Sequence, residues 1–455
     1  MGGHAPRYGA MTMAYRVPFG HGFVAFDAPA WAQIDVLESG AAPPLDDVPG
    51  AVRAALRAPL ETGPLRELAA EAIRRARGRR PRVVIAVTDV TRASPDHLLV
   101  PPMLEELRAG GLRDEDIAIC VAIGLHRPST DAEKRDKLGA EAVGRHEVFD
   151  SDGKDPAKWA DLGEVPPYDV HGYVQRRIAE ADLVLATGVV EPHQYAGWSG
   201  GRKTVAIGCS GEPVIEATHG MRFILDPGVR LAKLAGNPFH ETVTELARRA
   251  GLRFCVNVVN DDSERVVAVA AGAPDAVLAA LVAKAEPLFT RPITKQYDIA
   301  IGGVGYPKDT NLYQASRAAT YLRFAPVPAV REGGAIIVPA ACPEGAGQGP
   351  GEQRFHDALA AAPSAEAVVE RARRHFIAGE QRAVMVALTL EHCAVIIAGS
   401  VDPELPRRLK MLSARDVQEA LTMAHEHLNR PARASVLLIP RALHTLPVLG
   451  AAVAA

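Results

Sequence analysis

The chain has 455 residues, enough for two domains that each bury a core. Apolar residues make up 48% and charged residues 23%, an ordinary globular balance that excludes a disordered or fibrous chain. With 51 basic against 54 acidic residues, the net charge of −3 supplies no cationic field for nucleic acid.

Early in the chain the basic run RRARGRRPR, Arg74–Arg82, reads as a solvated helix end just before a strand. Short apolar, β-branched runs then predict strands over 82–89, 117–124 and 182–190, and again over 297–305, 334–342, 393–400 and 435–440. Amphipathic segments such as HLLVPPMLEELRAGG and PDAVLAALVAKAEPLF lie between them and predict helices. Strands apolar on both faces, alternating with helices, indicate an α/β fold of mostly parallel sheets covered by helices. Two domains are expected, residues 1–285 and 297–410, joined through the Pro-rich stretch AEPLFTRPITKQ, with the active site in the cleft between them. A second Pro-rich stretch, DPELPRRLK, is expected to return residues 411–455 to the first domain.

Cys120, Cys209, Cys255, Cys342 and Cys393 are scattered and form no CxxC pair, which argues against disulfides and a thiolate zinc site. The start, MGGHAP, shows no leader, and every apolar stretch is broken well short of a membrane span. A cytoplasmic protein with no membrane partner is expected.

The polar residues after the first three strands carry the chemistry. Asp89, Thr91 and Arg92 follow the first, His126 the second and His193 the third. In an open α/β sheet the ligand crevice lies beyond the carboxyl ends of the strands, so three loops distant in sequence deliver these groups to one rim. The third loop, EPHQYAGWSGGRKT, resembles a phosphate-binding loop but carries Arg202 where a nucleoside-triphosphate loop has glycine. Gly197, Gly200 and Gly201 would let backbone N–H groups approach an anion. His193, Lys203 and His219 are ten and sixteen residues apart. The lysine suits either a phosphate charge or covalent attachment, and the imidazoles suit nickel, zinc or iron as well as proton transfer. His219 closes a short helix begun by Pro213 and ended by Gly220.

Together DVTR, GLHRP, PHQYAGWSGGRK, EATHG and YPKDTNLYQASRA are similar to the nickel-dependent lactate racemase family, in order across both expected domains. The resemblance implies a nickel-pincer nucleotide (nickel pyridinium-3,5-bisthiocarboxylic acid mononucleotide) tethered to Lys203, with His219 on nickel. It implies His126 and His193 as the acid–base pair, and Asp89, Thr91, Gly200 and Gly201 around the cofactor phosphate. Arg92, Tyr313, Gln314 and Arg317 would bind a small 2-hydroxy acid. The implied activity is a racemase or epimerase that inverts carbon 2 by proton-coupled hydride transfer. Its partners would be that acid and the enzymes that make the cofactor, without which recombinant chain is apo; a homo-oligomer is compatible.

The sequence departs from the family pattern at Ala93, where proline is common, at Ile207, and at Arg317 in place of lysine. Arginine binds carboxylates as a fork, which suggests a substrate other than lactate. Tyr195 and Trp198 fit cofactor shielding and ordinary packing equally well. A non-catalytic cofactor or metal holder, and more remotely a P-loop-like NTPase, are the alternatives. The other histidines, among them His97, His146, His171, His240 and His356, are read as structural.

Overall fold

The computed structural model describes residues 14–450, so the reading of the MGGHAP start lies outside the described residues. The chain forms two compact units. One comprises Ser39–Thr290 with Phe376–Ala378; the other holds the described residues up to Glu38, then Arg291–His375 and Gly379 onward.

The first unit is built on a six-stranded sheet in the order Val266–Gly272, Leu252–Asn260, Leu183–Val189, Val83–Thr88, Ile117–Ala122 and Glu147–Asp150. All neighbours are parallel except the edge pair Leu252–Asn260 and Val266–Gly272. Every side chain of Leu183–Val189 is buried, as are Val83 to Val87, because helices cover both faces. These strands share one core with Leu99, Met103 and Leu107 of the helix Asp96–Ala109 and with Val52 and Leu56 of the helix Val48–Arg57. From Val83–Thr88 the chain adds strands outward in one direction, then crosses back to place Leu183–Val189 on the other side. The topological switch point therefore falls between these two strands, and a ligand is expected beyond their carboxyl ends.

The second unit has an all-parallel six-stranded sheet ordered Leu412–Ala414, Ala394–Ala398, Val330–Pro339, Tyr297–Gly302, Ala434–Ile439 and Ala32–Val36. This corrects the expected path of the C-terminal segment. Leu412–Ala414 and Ala434–Ile439 stay in the second sheet, where Val436, Leu437 and Leu438 pair with Ile299, Ala300 and Ile301. The early strand Ala32–Val36 completes the same sheet, so residues before Glu38 also depart from the expected first domain. The physical reason is burial: Ala434–Ile439 is apolar on both faces and needs a neighbour on each side.

The basic run at Arg79–Arg82 is offset by acids. Arg79 pairs with Asp182, Arg80 reaches Asp116 at 3.3 Å and Arg82 reaches Glu180 at 3.0 Å. Among the described residues, no helix is long and apolar enough to cross a membrane.

Candidate active site

The loop after Val83–Thr88 begins with Asp89, whose carboxylate is buried. Its Oδ1 accepts hydrogen bonds from Thr91 Oγ1 at 2.6 Å and Thr91 N at 3.3 Å. Its Oδ2 lies 2.6 Å from Nδ1 of His126, which comes from the loop after Ile117–Ala122. Burial works to raise the Asp89 carboxyl, but the hydrogen bonds from His126 and Thr91 and the charges of His126 and Arg92 outweigh it. Its pKa therefore lies below the ordinary carboxylate value. The loop is braced from beneath. Lys137 Nζ donates to the carbonyls of Arg92 and Ser94, both at 2.9 Å, and Asn260 Nδ2 donates to the Ala93 carbonyl at 2.7 Å.

The loop after Leu183–Val189 makes a tight hairpin in which His193 pairs with Gly197. Gly197 has φ of +72°, and a Cβ there would lie 2.0 Å from the Lys233 carbonyl oxygen, so only glycine fits. Nδ1 of His193 accepts from the backbone N–H groups of Tyr195 at 3.2 Å and Ala196 at 3.1 Å. Tyr195 and Phe239 link this histidine to His219: ring centroids are 4.9 Å apart for Tyr195–His219 and 5.3 Å for Phe239–His219. Phe239 itself is held by Asn237, which is fully buried and caps the helix Pro238–Arg249 through Phe239 N at 3.0 Å. The same side chain donates to the Tyr195 carbonyl at 2.8 Å. Asn237 and Phe239 escaped the sequence reading; the Asn-Pro pair at a helix start was the signal available.

His219 ends the helix Glu212–Thr218 and points Nδ1 at the Ile215 carbonyl, 3.0 Å away. A carbonyl only accepts, so Nδ1 carries the proton and Nε2 keeps its lone pair. Burial, then the charge of Lys203, pull its pKa from 6.5 to about 3 despite the Ile215 bond, with Arg92 adding to the effect. The ring is a neutral nitrogen ligand at any physiological pH.

Lys203 stands on the short helix Gly201–Ala206. Burial and then the charge of Arg92 lower its pKa from 10.5 to about 7, although Glu191 and Asp89 act to raise it. Near pH 7 about half of this amine is neutral, whereas an ordinary lysine is neutral to only about one part in a few thousand. The sign is that of a base with a depressed pKa: reactivity turns on as pH rises through about 7 and is flat above it. An acylating reagent applied to the apo chain across pH, with the Lys203 peptide quantified by mass spectrometry, is expected to give that midpoint. A midpoint near 10.5 would refute the burial argument.

Asp89 spends both oxygens on His126 and Thr91, and its own charge opposes a phosphate beside it. Gly201 spends its N–H on Asn257 Oδ1 at 3.2 Å. Gly200 and Gly201 also pack closely on the neighbouring strand, since a Cβ on Gly188 would meet Gly201 N at 2.7 Å. Arg202 is buried and spends its guanidinium inside the protein, donating to His240 Nδ1 at 3.1 Å and to Thr244 Oγ1. Burial lowers its pKa to about 10. That arrangement, and the fact that Arg202 and Lys203 lie on a helix only six residues long, weigh against the NTPase alternative.

Arg92 lies 3.8 Å from Glu191 at the rim. Tyr313, Gln314 and Arg317 sit in the second unit, on the helix Leu312–Arg323. Arg317 donates to Gln314 Oε1 at 3.3 Å and to Tyr321 OH at 3.0 Å, which fixes the plane of its guanidinium. Tyr321 was not foreseen.

A protein of two α/β units, one carrying a buried lysine of lowered pKa and three histidines on the loops and helices after its central strands, is thereby defined. Residues 19–232 match the model of the lactate racemase N-terminal domain and residues 293–446 that of the lactate racemase C-terminal domain. The chain is 33% identical over 368 residues to lactate racemase of Lactiplantibacillus plantarum, covering 80% of this chain and 84% of that protein. It is 29% identical over 432 residues to lactate racemase of Thermoanaerobacterium thermosaccharolyticum, covering 92% and 96%. The structure of the lactate racemase apoprotein from that organism superposes with a TM-score of 0.83 at 27% identity, over 96% of this chain and all of the other. The chain belongs to the lactate racemase family.

Proposed function

We propose that the protein is a racemase or epimerase of a 2-hydroxy acid that works with a nickel-pincer nucleotide attached to Lys203. The observation that carries this reading is a buried lysine, Lys203, close to a buried imidazole, His219, whose Nδ1 is held on the Ile215 carbonyl at 3.0 Å so that Nε2 is left for a metal. Among the described residues, no three His, Cys, Asp or Glu side chains gather as a metal site. A metal held by His219 would take its remaining ligands from a pincer cofactor. When bound, that cofactor supplies the hydride acceptor and donor.

The chain supplies the rest. Lys203 offers the attachment amine. His219 offers Nε2 to nickel, its ring direction set by the Ile215 carbonyl. His126 takes the substrate hydroxyl proton at Nε2, and the buried Asp89 carboxylate offsets the charge that develops on the ring. Removing a hydroxyl proton while hydrogen leaves carbon 2 as hydride avoids a carbanion beside a carboxylate. His193, on the other loop, is the matching acid–base group for the opposite hand, whose oxygen lies on its side. Arg92 orients the substrate carboxylate, a task for which a fork of donors is suited. Thr91 and Gly200 remain the proposed neighbours of the cofactor phosphate. On sequence resemblance alone the proposal extends to Tyr313, Gln314 and Arg317, with Arg317 favouring an acid other than lactate.

Protein produced together with cofactor-making enzymes should contain stoichiometric nickel and a mass increment of hundreds of daltons. Chain that emerges from that background without nickel and at its unmodified mass would overturn the proposal.

A further inference from the structure

The acid–base pair of the proposed reaction is made of two histidines whose surroundings are unlike, and the difference fixes where each ring keeps its proton. The Asp89 carboxylate is buried, and its Oδ1 is filled by the Thr91 hydroxyl and amide. An ionised carboxylate can only accept, so the 2.6 Å contact at Oδ2 requires a proton on Nδ1 of His126. Nε2 of that ring is left bare. At His193 the polarity is reversed. Backbone N–H groups can only donate, and two of them, from Tyr195 and Ala196, converge on Nδ1. Nδ1 of His193 therefore accepts and carries no proton, and the neutral ring has its proton on Nε2.

The donors at His193 are not free to turn away. The Tyr195 carbonyl is gripped by the buried Asn237, the Ala196 carbonyl accepts from Trp198 N at 2.8 Å, and His193 is paired with Gly197 across the hairpin.

We propose that His126 and His193 rest in opposite tautomers, with Asp89 as the positioning residue of the first and the Tyr195–Ala196 turn fixing the second. The resting site then holds one base and one N–H donor rather than two equivalent bases. This rests on the acid–base roles proposed above. A substrate whose hydroxyl meets His126 reacts from the resting state: its O–H bond breaks, Nε2–H forms, and the positive ring stays hydrogen-bonded to Asp89. When the oxygen of the opposite hand regains its proton from His193 Nε2–H, the extra proton on His126 passes through solvent to His193 Nε2, so both rings end neutral. A substrate whose hydroxyl must be deprotonated by His193 waits until that ring moves its proton from Nε2 to Nδ1, which breaks both amide hydrogen bonds. For a pair of enantiomers the equilibrium constant is one, so kcat/KM is equal in the two directions. The asymmetry must therefore surface as unequal kcat, matched by unequal KM.

The test is long-range nitrogen–proton NMR on apo chain carrying nitrogen-15 histidine, at a pH where both rings are neutral, with the two rings assigned from H126Q and H193Q. The expected spectrum shows a protonated Nδ1 for His126 and a protonated Nε2 for His193. Asp89→Asn sharpens it. Thr91 holds Oδ1 as the acceptor, so the new amide turns its NH2 toward His126 and forces that ring into the Nε2–H form. His193 should keep its pattern in this variant, which certifies an intact fold. Identical tautomers in the wild-type chain, or a His126 pattern indifferent to Asp89→Asn, would overturn the proposal. These spectra need no cofactor and no turnover, so a failure of the racemase assignment leaves them standing. In loaded enzyme the same substitution should lower kcat by about 10²–10⁴-fold, and equal kcat values for both enantiomers would contradict the asymmetry.

Discussion

Loaded protein carrying His126→Gln turns over about 10²–10⁴-fold more slowly than wild type, the usual contribution of a positioned general base. Glutamine keeps the volume of the ring and can still donate to Asp89 Oδ2, but its amide cannot take up a proton at neutral pH. The His126 side chain is more than half exposed, so the substitution removes chemistry and little packing. Thermal stability should change only slightly, and the covalent mass increment should remain. Chiral chromatography of the reaction, beside an intact-mass measurement, checks both halves. Activity within a few-fold of wild type would remove His126 from the reaction.

Lys203→Arg should abolish that increment altogether. Arginine preserves length and positive charge yet stays protonated at any working pH, so it offers no free amine for attachment. The substitution also replaces a group that is half neutral near pH 7 by one that is fully charged in the same depression, which weighs against a second cation nearby and against the neutral state of His219. Cofactor should then be lost on desalting, with nickel following it, and activity should fall to background. A Lys203→Arg protein that still carries the increment would place the tether elsewhere.

Much of the site unit was legible in the sequence because its central strands are buried on both faces. Runs such as VVIAV and LVLATGV have no polar side to hide their identity, and the residues that follow them stand out. The segment Pro274–Phe289 was likewise foreseen as a helix, its start marked by proline. What escaped was non-local. Ala32–Val36 is short and largely exposed, and nothing in AQIDV announces that it joins a strand four hundred residues later. The strand Leu252–Asn260 was passed over even though nearly every position is buried. Asp89 illustrates the same limit within the site. Its place at a strand end marked it as functional, but its partner lies 37 residues away, and only the fold shows the carboxylate spent on His126. Gly201 shows another limit: a glycine that admits an anion and one that admits a neighbouring strand look alike until the contacts are known.

The central claim is that this site interconverts the two hands of a 2-hydroxy acid. It is tested most directly by giving loaded enzyme single enantiomers from a panel of such acids, including dicarboxylic, aromatic and sugar-derived ones, and separating the products on a chiral column. At least one acid should run to its equilibrium mixture from either hand, and apo chain should leave all of them unchanged. Enzyme that carries nickel and the full mass increment yet inverts none of the panel would contradict the account and leave a cofactor holder in its place.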